Sequence, residues 1–226
     1  MNRVPTSCLD RLNQRDFLFI EELILGSPPP GNGLQSLFEE RDSLLAILEH
    51  DKLFQALIEL PYPLGVSPEL YFFVMVRRGL KNGGIDDVEV ADYVSAVLAS
   101  HAMGGSGGLA DLESPGVDFS YHVDFLYALE GLSDYDRFFL EVECGNHFLV
   151  LTGLFPKFLE HRASRRGAPG LGYYEDLARG AFLSAGDHPL ADEFAVRSVY
   201  PRLADCFSET RRALNLMAQE YLFLGS

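Results

Sequence analysis

The sequence predicts an all-α fold, arranged as a single compact multi-helical bundle of about eight or nine helices over residues 1–226. Helix-start signals and Gly/Pro stop signals alternate along the chain at helix-length intervals. Between them, apolar residues recur at spacings of three and four, which is the period of one helix face. No window alternates apolar and polar residues between hairpin turns, so strands are not expected. With 47% hydrophobic residues, the chain is long enough to bury a sizeable core.

Local signals place the helices of the first half. Ser7 and Asp10 resemble a capping box at the start of the first helix, and a Pro-rich loop at 26–33 ends that helix. Ser67-Pro68-Glu69 is a strong start, with a hydroxyl cap followed by proline at the first helical position. Gly79 is expected to end the helix that begins there. The predicted helices of this half are 9–25, 34–50, 51–60, 67–78 and 86–103, of which the second and third are two helices or one broken helix.

The second half follows a glycine-rich stretch at 104–116, which we expect to be a flexible loop within the one domain. Its first residues match the letters of a GxSxG nucleophile elbow, but a predicted helix precedes them where that motif needs a strand. They are therefore interpreted as a connector. The remaining predicted helices are 118–129, 133–155, 157–166, 171–183 and 189–224, and Pro201 is expected to bend the last of them or to mark a break in it. The last carries a seam that we expect to be buried: Val196, Tyr200, Leu203, Phe207, Thr210, Leu214, Met217 and Tyr221.

The charge balance narrows the classes of function. The chain has 18 Lys+Arg against 33 Asp+Glu, a formal net charge of -15 and a pI near 4.7. Nucleic acids and anionic membrane surfaces need a concentrated basic face, so neither is expected as a partner. No apolar run reaches the roughly 20 residues of a membrane span, and three widely separated cysteines form no disulfide framework. We therefore expect a cytoplasmic protein.

Standard catalytic and metal-binding motifs are missing from the sequence. There is no GxxxxGK[ST] phosphate loop, no HExxH, and no Glu or Asp three residues before any histidine. No metal site is predicted, and no cofactor is indicated. The pair of interest is Glu143 and His147, one helical turn apart on an otherwise apolar stripe. A carboxylate there would orient the imidazole and raise its pKa, as a general base requires. The alternative, which we favour, is a half-buried histidine with a structural role.

Two further groups complete the candidate ligand-binding residues. Arg162 and Arg166 belong to a basic cluster that either holds a phosphate or carboxylate or, as we favour, suits a helix C-terminus. Tyr173 and Tyr174 are candidate pocket walls, although aromatic residues at helical spacing are more often core residues. Arg77-Arg78, at the end of another predicted helix, is interpreted as a pair of structural cations in the same way.

Four segments resemble a family of uncharacterised bacterial proteins. They are Ser67 to Tyr71, Ala91 to Val94, Gly145 to Pro156 and Gly172 to Glu175. The resemblance covers roughly residue 67 to the C-terminus. It implies a bacterial origin, and it supplies no activity and no catalytic residues to carry over.

Two classes of function stay open. The first, which we favour, is a non-catalytic helical protein that binds a partner protein or self-associates as a homodimer, through the C-terminal seam or the acidic surface. The second is a small-molecule- or metal-binding helical protein, an enzyme among the options, with a pocket around Glu143 and His147. In that case Tyr173 and Tyr174 would form its walls, and Arg162 or Arg166 would anchor an anion.

Overall fold

The computed structural model confirms the all-α prediction, and the residues that it describes contain no strand. The described residues are 4–5, 7–26, 38, 40–59, 65–102, 132–166 and 168–222, without the side chains of 25 and 166. Their eleven α-helices slightly exceed the predicted number. The elements are a 3-10 turn Leu9–Arg11, α1 Gln14–Leu25, α2 Arg41–Leu48, α3 Asp51–Glu59, α4 Pro68–Asn82, α5 Val88–Ala102, α6 Asp134–Leu154, α7 Pro156–Arg166, α8 Leu171–Asp187, α9 Leu190–Glu193, α10 Val199–Asp205 and α11 Phe207–Glu220. The predicted loop at 104–116, the predicted helix at 118–129 and the Pro-rich loop after Gly26 lie outside the described residues.

The first helix begins later than predicted. Asn13 is extended, and its side chain accepts the backbone N–H groups of Arg15 and Asp16, which starts α1 after the 3-10 turn. Asp16 accepts the N–H of Asn13 in return at 2.9 Å, which completes a capping box. The capping box predicted at Ser7 is therefore misplaced: Ser7 accepts the N–H of Asp10 at 3.2 Å, but only the 3-10 turn follows.

The start of α4 is confirmed, whereas its predicted end is wrong. The Ser67 hydroxyl accepts the N–H of Leu70 at 3.1 Å, and it donates to the buried carboxylate of Asp16 at 2.7 Å. That second bond joins the caps of α1 and α4. The helix runs through Gly79 to Asn82. Gly79 lies inside α4 where it faces α11, and a Cβ there would be 3.7 Å from the carbonyl oxygen of Ala213, an ordinary van der Waals distance.

Helix α6 is the central element, and it follows the prediction closely, with Ser133 as its cap. It packs mainly against α8 and α11. A Cβ at Gly145 would lie 2.8 Å from the ring of Phe182 on α8, and a Cβ at Gly153 would lie 3.0 Å from Leu214 on α11. The two contacts therefore require positions on α6 that lack a side chain.

The C-terminal segment is divided into three helices, and neither break falls at Pro201, where a bend or break was expected. Ala195 has a φ of 54°, which ends α9, and Cys206 separates α10 from α11, whereas Pro201 lies inside α10. The predicted seam is nevertheless buried within the chain, with Tyr221 partly buried at its end. It therefore contributes to the core that runs from Val4 to Ala218.

Among the described helices, none has alone the length and hydropathy of a membrane span. The pair α6 and α7 meets those criteria together, with a bend of 90° between the two helices.

Candidate functional site

His147 lies half-buried on α6, with its ring edge-on to Phe148 at a centroid distance of 5.1 Å. Burial first, and the charge of His101 second, lower the pKa of His147 to about 4. Its imidazole is therefore neutral at pH 7. Glu143 is exposed. The lowered pKa of His147 is opposite to the rise that was predicted for a histidine paired with Glu143. The predicted rise is wrong, because burial dominates the pKa of His147 and the charge of Glu143 does not contribute to the shift.

The two candidate tyrosines occupy different environments. Tyr174 is buried and stacks on Phe148 at 5.1 Å, and burial raises the pKa of its hydroxyl to about 12. Tyr173 is 39% exposed and meets the Tyr174 ring edge-on at 5.5 Å. Tyr174 therefore belongs to the core between α6 and α8, whereas Tyr173 lies at the surface.

Arg162 completes a row of candidate residues across three helices. Its guanidinium carbon lies 5.6 Å from the ring centroid of Phe158, and its charge opposes the burial that raises the pKa of Tyr174. The ring of Phe148 therefore contacts both His147 and Tyr174. The charge of Arg162 acts in turn on Tyr174. The side chain of Arg166 lies outside the described residues. Throughout the described part of the chain, no three His, Cys, Asp or Glu side chains are grouped to hold a metal ion.

A cavity of about 130 Å³ lies elsewhere, at the corner where α2, α3 and α4 meet. We call it the α4 corner. Apolar and charged side chains both line it: Leu48, Glu49, Phe54, Val74, Arg77, Arg78, Lys81 and Asn82. The five residues from α4 recur at spacings of three, four and one, so they share one face of that helix. Sequence reasoning missed this face because the helix was expected to stop at Gly79.

Ion pairs surround the α4 corner. Arg77 donates from Nε to Oε1 of Glu49 at 2.6 Å and from Nη2 to Asp86, while Lys81 donates to Oε2 of Glu49 at 2.7 Å. Burial raises the pKa of Glu49, but the hydrogen bonds from Lys81 and Arg77 outweigh it, so the pKa lies below its ordinary value. Glu49 is therefore ionised and holds two cations of α4 at the rim.

Arg78 extends the same arrangement towards α3. It pairs with Asp51, and its guanidinium carbon lies 4.9 Å from the ring centroid of Phe54. Its hydrogen bond and charge hold the pKa of Asp51 below the usual value. The aromatic wall of the α4 corner thus carries a cation on its face.

The chain matches no family model, no curated protein and no solved structure.

Proposed function

We propose that this chain is a non-catalytic helical protein of the bacterial cytoplasm that binds a basic amphipathic helix of a partner protein. The observation that carries the proposal is one exposed face of α8. Its members recur at alternating spacings of three and four, and all of them are exposed. We call this set the α8 stripe: Tyr173, Asp176, Gly180, Leu183 and Asp187.

The α8 stripe combines large apolar side chains with a small residue between them. Tyr173 is 39% exposed and Leu183 is 44% exposed. Between them, a Cβ at Gly180 would meet no atom within 4 Å, so the backbone there is open to close approach. A single exposed apolar side chain is ordinary, but two on one face around a glycine suit the apolar side of another helix.

Charge favours a basic partner over a second copy. Asp176 and Asp187 lie on the α8 stripe, which contains no cation, and the chain carries a net charge of -15. A twofold contact through this face would bring four carboxylates into one interface, where like charges repel. Lys or Arg beside the apolar face of a partner helix would pair with them instead. The C-terminal seam offers no competing surface, because its side chains are already packed within the chain.

The cysteines support the proposed compartment. Cys8 and Cys144 are buried, Cys206 is partly buried, and all three are free thiols. Burial raises the pKa of both Cys8 and Cys144 to about 12, so these two thiols stay protonated and unreactive. This use of cysteine as a core residue suits a reducing interior.

The test uses two synthetic amphipathic helical peptides with the same leucine face, flanked by Lys in one and by Glu in the other. We expect the Lys peptide to bind the full chain, with an affinity that falls as salt is added, and the Glu peptide not to bind. Leu183→Glu should weaken binding by about tenfold or more. Leu216→Glu is the matched control, because Leu216 is an exposed leucine on another helix, α11.

Three results would overturn this proposal. They are failure of the Lys peptide to bind, equal binding of both peptides, and equal weakening by the two leucine variants. Light scattering on the chain without any peptide tests the alternative that the chain forms a homodimer. A concentration-dependent dimer that Leu183→Glu abolishes would show that the α8 stripe meets a second copy instead.

A further inference from the structure

The buried guanidinium of the α4 corner has an unfilled hydrogen-bonding capacity. The side chain of Arg77 is only 5% exposed, and its Nε and Nη2 atoms donate to Glu49 and Asp86. Its Nη1 atom is buried and has no hydrogen-bond partner among the residues that the structure describes. A buried donor without an acceptor is costly, so an acceptor oxygen in the adjoining cavity would stabilise this arrangement.

We propose that the α4 corner binds a small carboxylate carried on a short apolar body, with Arg77 Nη1 as its inner anchor. A guanidinium edge offers parallel N–H groups that match a carboxylate. Asn82 brings an amide donor to the same lining. This ligand site goes beyond the partner-binding role proposed for α8, and it depends on none of the residues of the α8 stripe.

The charge count favours a monoanion over a phosphate. Three cations of α4, namely Arg77, Arg78 and Lys81, are already paired with Glu49, Asp51 and Asp86. Each cation is therefore matched by a carboxylate, so a dianion would add two uncompensated negative charges where a carboxylate adds one. A carboxylate brings one charge, which the unused Nη1 donor of the guanidinium meets directly.

The cavity limits the size of the apolar body. Its volume of about 130 Å³ is well below the range of roughly 300–1,000 Å³ typical of drug-sized and cofactor sites. The side chains of Leu48, Phe54 and Val74 form its apolar part. A short-chain acid such as butyrate satisfies both limits, whereas a nucleotide does not.

Thermal unfolding of the full chain with added sodium butyrate tests the site, with sodium chloride at equal ionic strength as the reference. At about a hundredfold above the dissociation constant, butyrate should raise the melting temperature by about 5 °C or more. Sodium phosphate and the uncharged isostere butyramide should raise it much less. A rise with butyramide equal to that with butyrate would overturn the proposal of an anion site.

Variants assign the effect to the corner. Arg77→Gln should abolish the butyrate response, and Asn82→Asp, at the exposed end of α4, should weaken binding by about tenfold through like charge. Arg202→Gln is the matched control, because Arg202 also pairs with two carboxylates, Asp87 and Glu89, on another part of the surface. If Arg77→Gln does not fold, the comparison of Asn82→Asp with Arg202→Gln decides alone. A butyrate response in Asn82→Asp as large as that in Arg202→Gln, or no response in the unaltered chain, would overturn the proposal.

Discussion

Two regions of the molecule bury ionisable side chains in opposite ways. On α6, which packs against α8, the half-buried His147 is neutral at pH 7, because desolvation lowers its pKa to about 4. At the α4 corner, the side chain of Arg77 is 5% exposed, and Glu49 and Asp86 accept its hydrogen bonds. In the first region a glycine of α6 lies against an aromatic ring of α8, whereas in the second region oppositely charged side chains pair.

The difference shows what each region depends on. Hydrogen bonds from opposite charges keep a partly buried group such as Glu49 ionised, whereas desolvation favours the neutral form of His147. The α6–α8 contact is therefore specified by shape, and the α4 corner by hydrogen-bonded charge. Substitutions that alter volume should matter most in the first region, and substitutions that alter charge should matter most in the second.

The largest effect is expected from Gly145→Ala. Its Cβ would lie 2.8 Å from ring atoms of Phe182, which is fully buried, so the ring or the helix would have to shift. We expect the free energy of unfolding to fall by about 3 kcal/mol, as overpacking outweighs the gain in helix propensity. Urea denaturation measures it. Gly180→Ala on α8 is the matched control: its Cβ meets nothing, so it should stabilise the chain by up to about 1 kcal/mol. Similar changes for the two variants would contradict the close contact.

Arg77→Met should rank second, with a loss of about 2 kcal/mol. The apolar side chain fills similar space but leaves Glu49 with Lys81 as its remaining cation partner. The loss is smaller than for a fully buried pair, because the Glu49 side chain is 24% exposed. A double-mutant cycle with Glu49→Gln should give a coupling of about 1 kcal/mol. Strict additivity of the two substitutions would show that the pair does not stabilise the corner.

Most of the fold was predictable because its signals are local. Ser67 and Ser133 cap their helices where the sequence places them, since a hydroxyl needs only the next turn of backbone. The errors occur where packing overrides a local signal. Gly79 is a helix stop by sequence but a contact point with Ala213 in the structure. Ala195 has a positive φ and breaks the C-terminal segment, although no Gly or Pro at that position signals a break in the sequence.

The candidate sites were less predictable, because they depend on which helices meet. Sequence spacing placed His147 near a carboxylate, but the degree of burial that decides its charge is a property of the packed core. The α4 corner needs Glu49 from the end of α2 beside Arg77 and Lys81 on α4, and no spacing reveals that contact. The available signal was the recurrence of Val74, Arg77, Arg78 and Lys81 on one helical face.

His147 predicts a pH dependence of stability. The ordinary value of its pKa is 6.5 and the folded value is about 4, so the unfolded chain binds more protons between them. Stability from this group is complete above pH 6.5 and is lost as the pH falls towards 4. We expect a loss of about 1 kcal/mol near pH 5, after allowance for partial exposure of the ring. His147→Gln should remove this loss in urea denaturation at pH 7 and pH 5, and exposed His161→Gln should retain it. An unchanged acid loss in His147→Gln would refute the assignment.

The smallest effect tests whether burial, rather than the number of contacts, distinguishes the α4 corner. Arg202 resembles Arg77 in pairing with two carboxylates, Asp87 at 2.6 Å and Glu89, but its side chain is 42% exposed. Water and salt screen such a surface arrangement. We therefore expect Arg202→Gln to lower the free energy of unfolding by less than about 0.5 kcal/mol, with the loss shrinking further in high salt. If urea denaturation gave Arg202→Gln the same loss as Arg77→Met, two carboxylate contacts would stabilise the fold equally whether the arginine is buried or exposed. The contrast between a region specified by shape and one specified by buried charge would then fail.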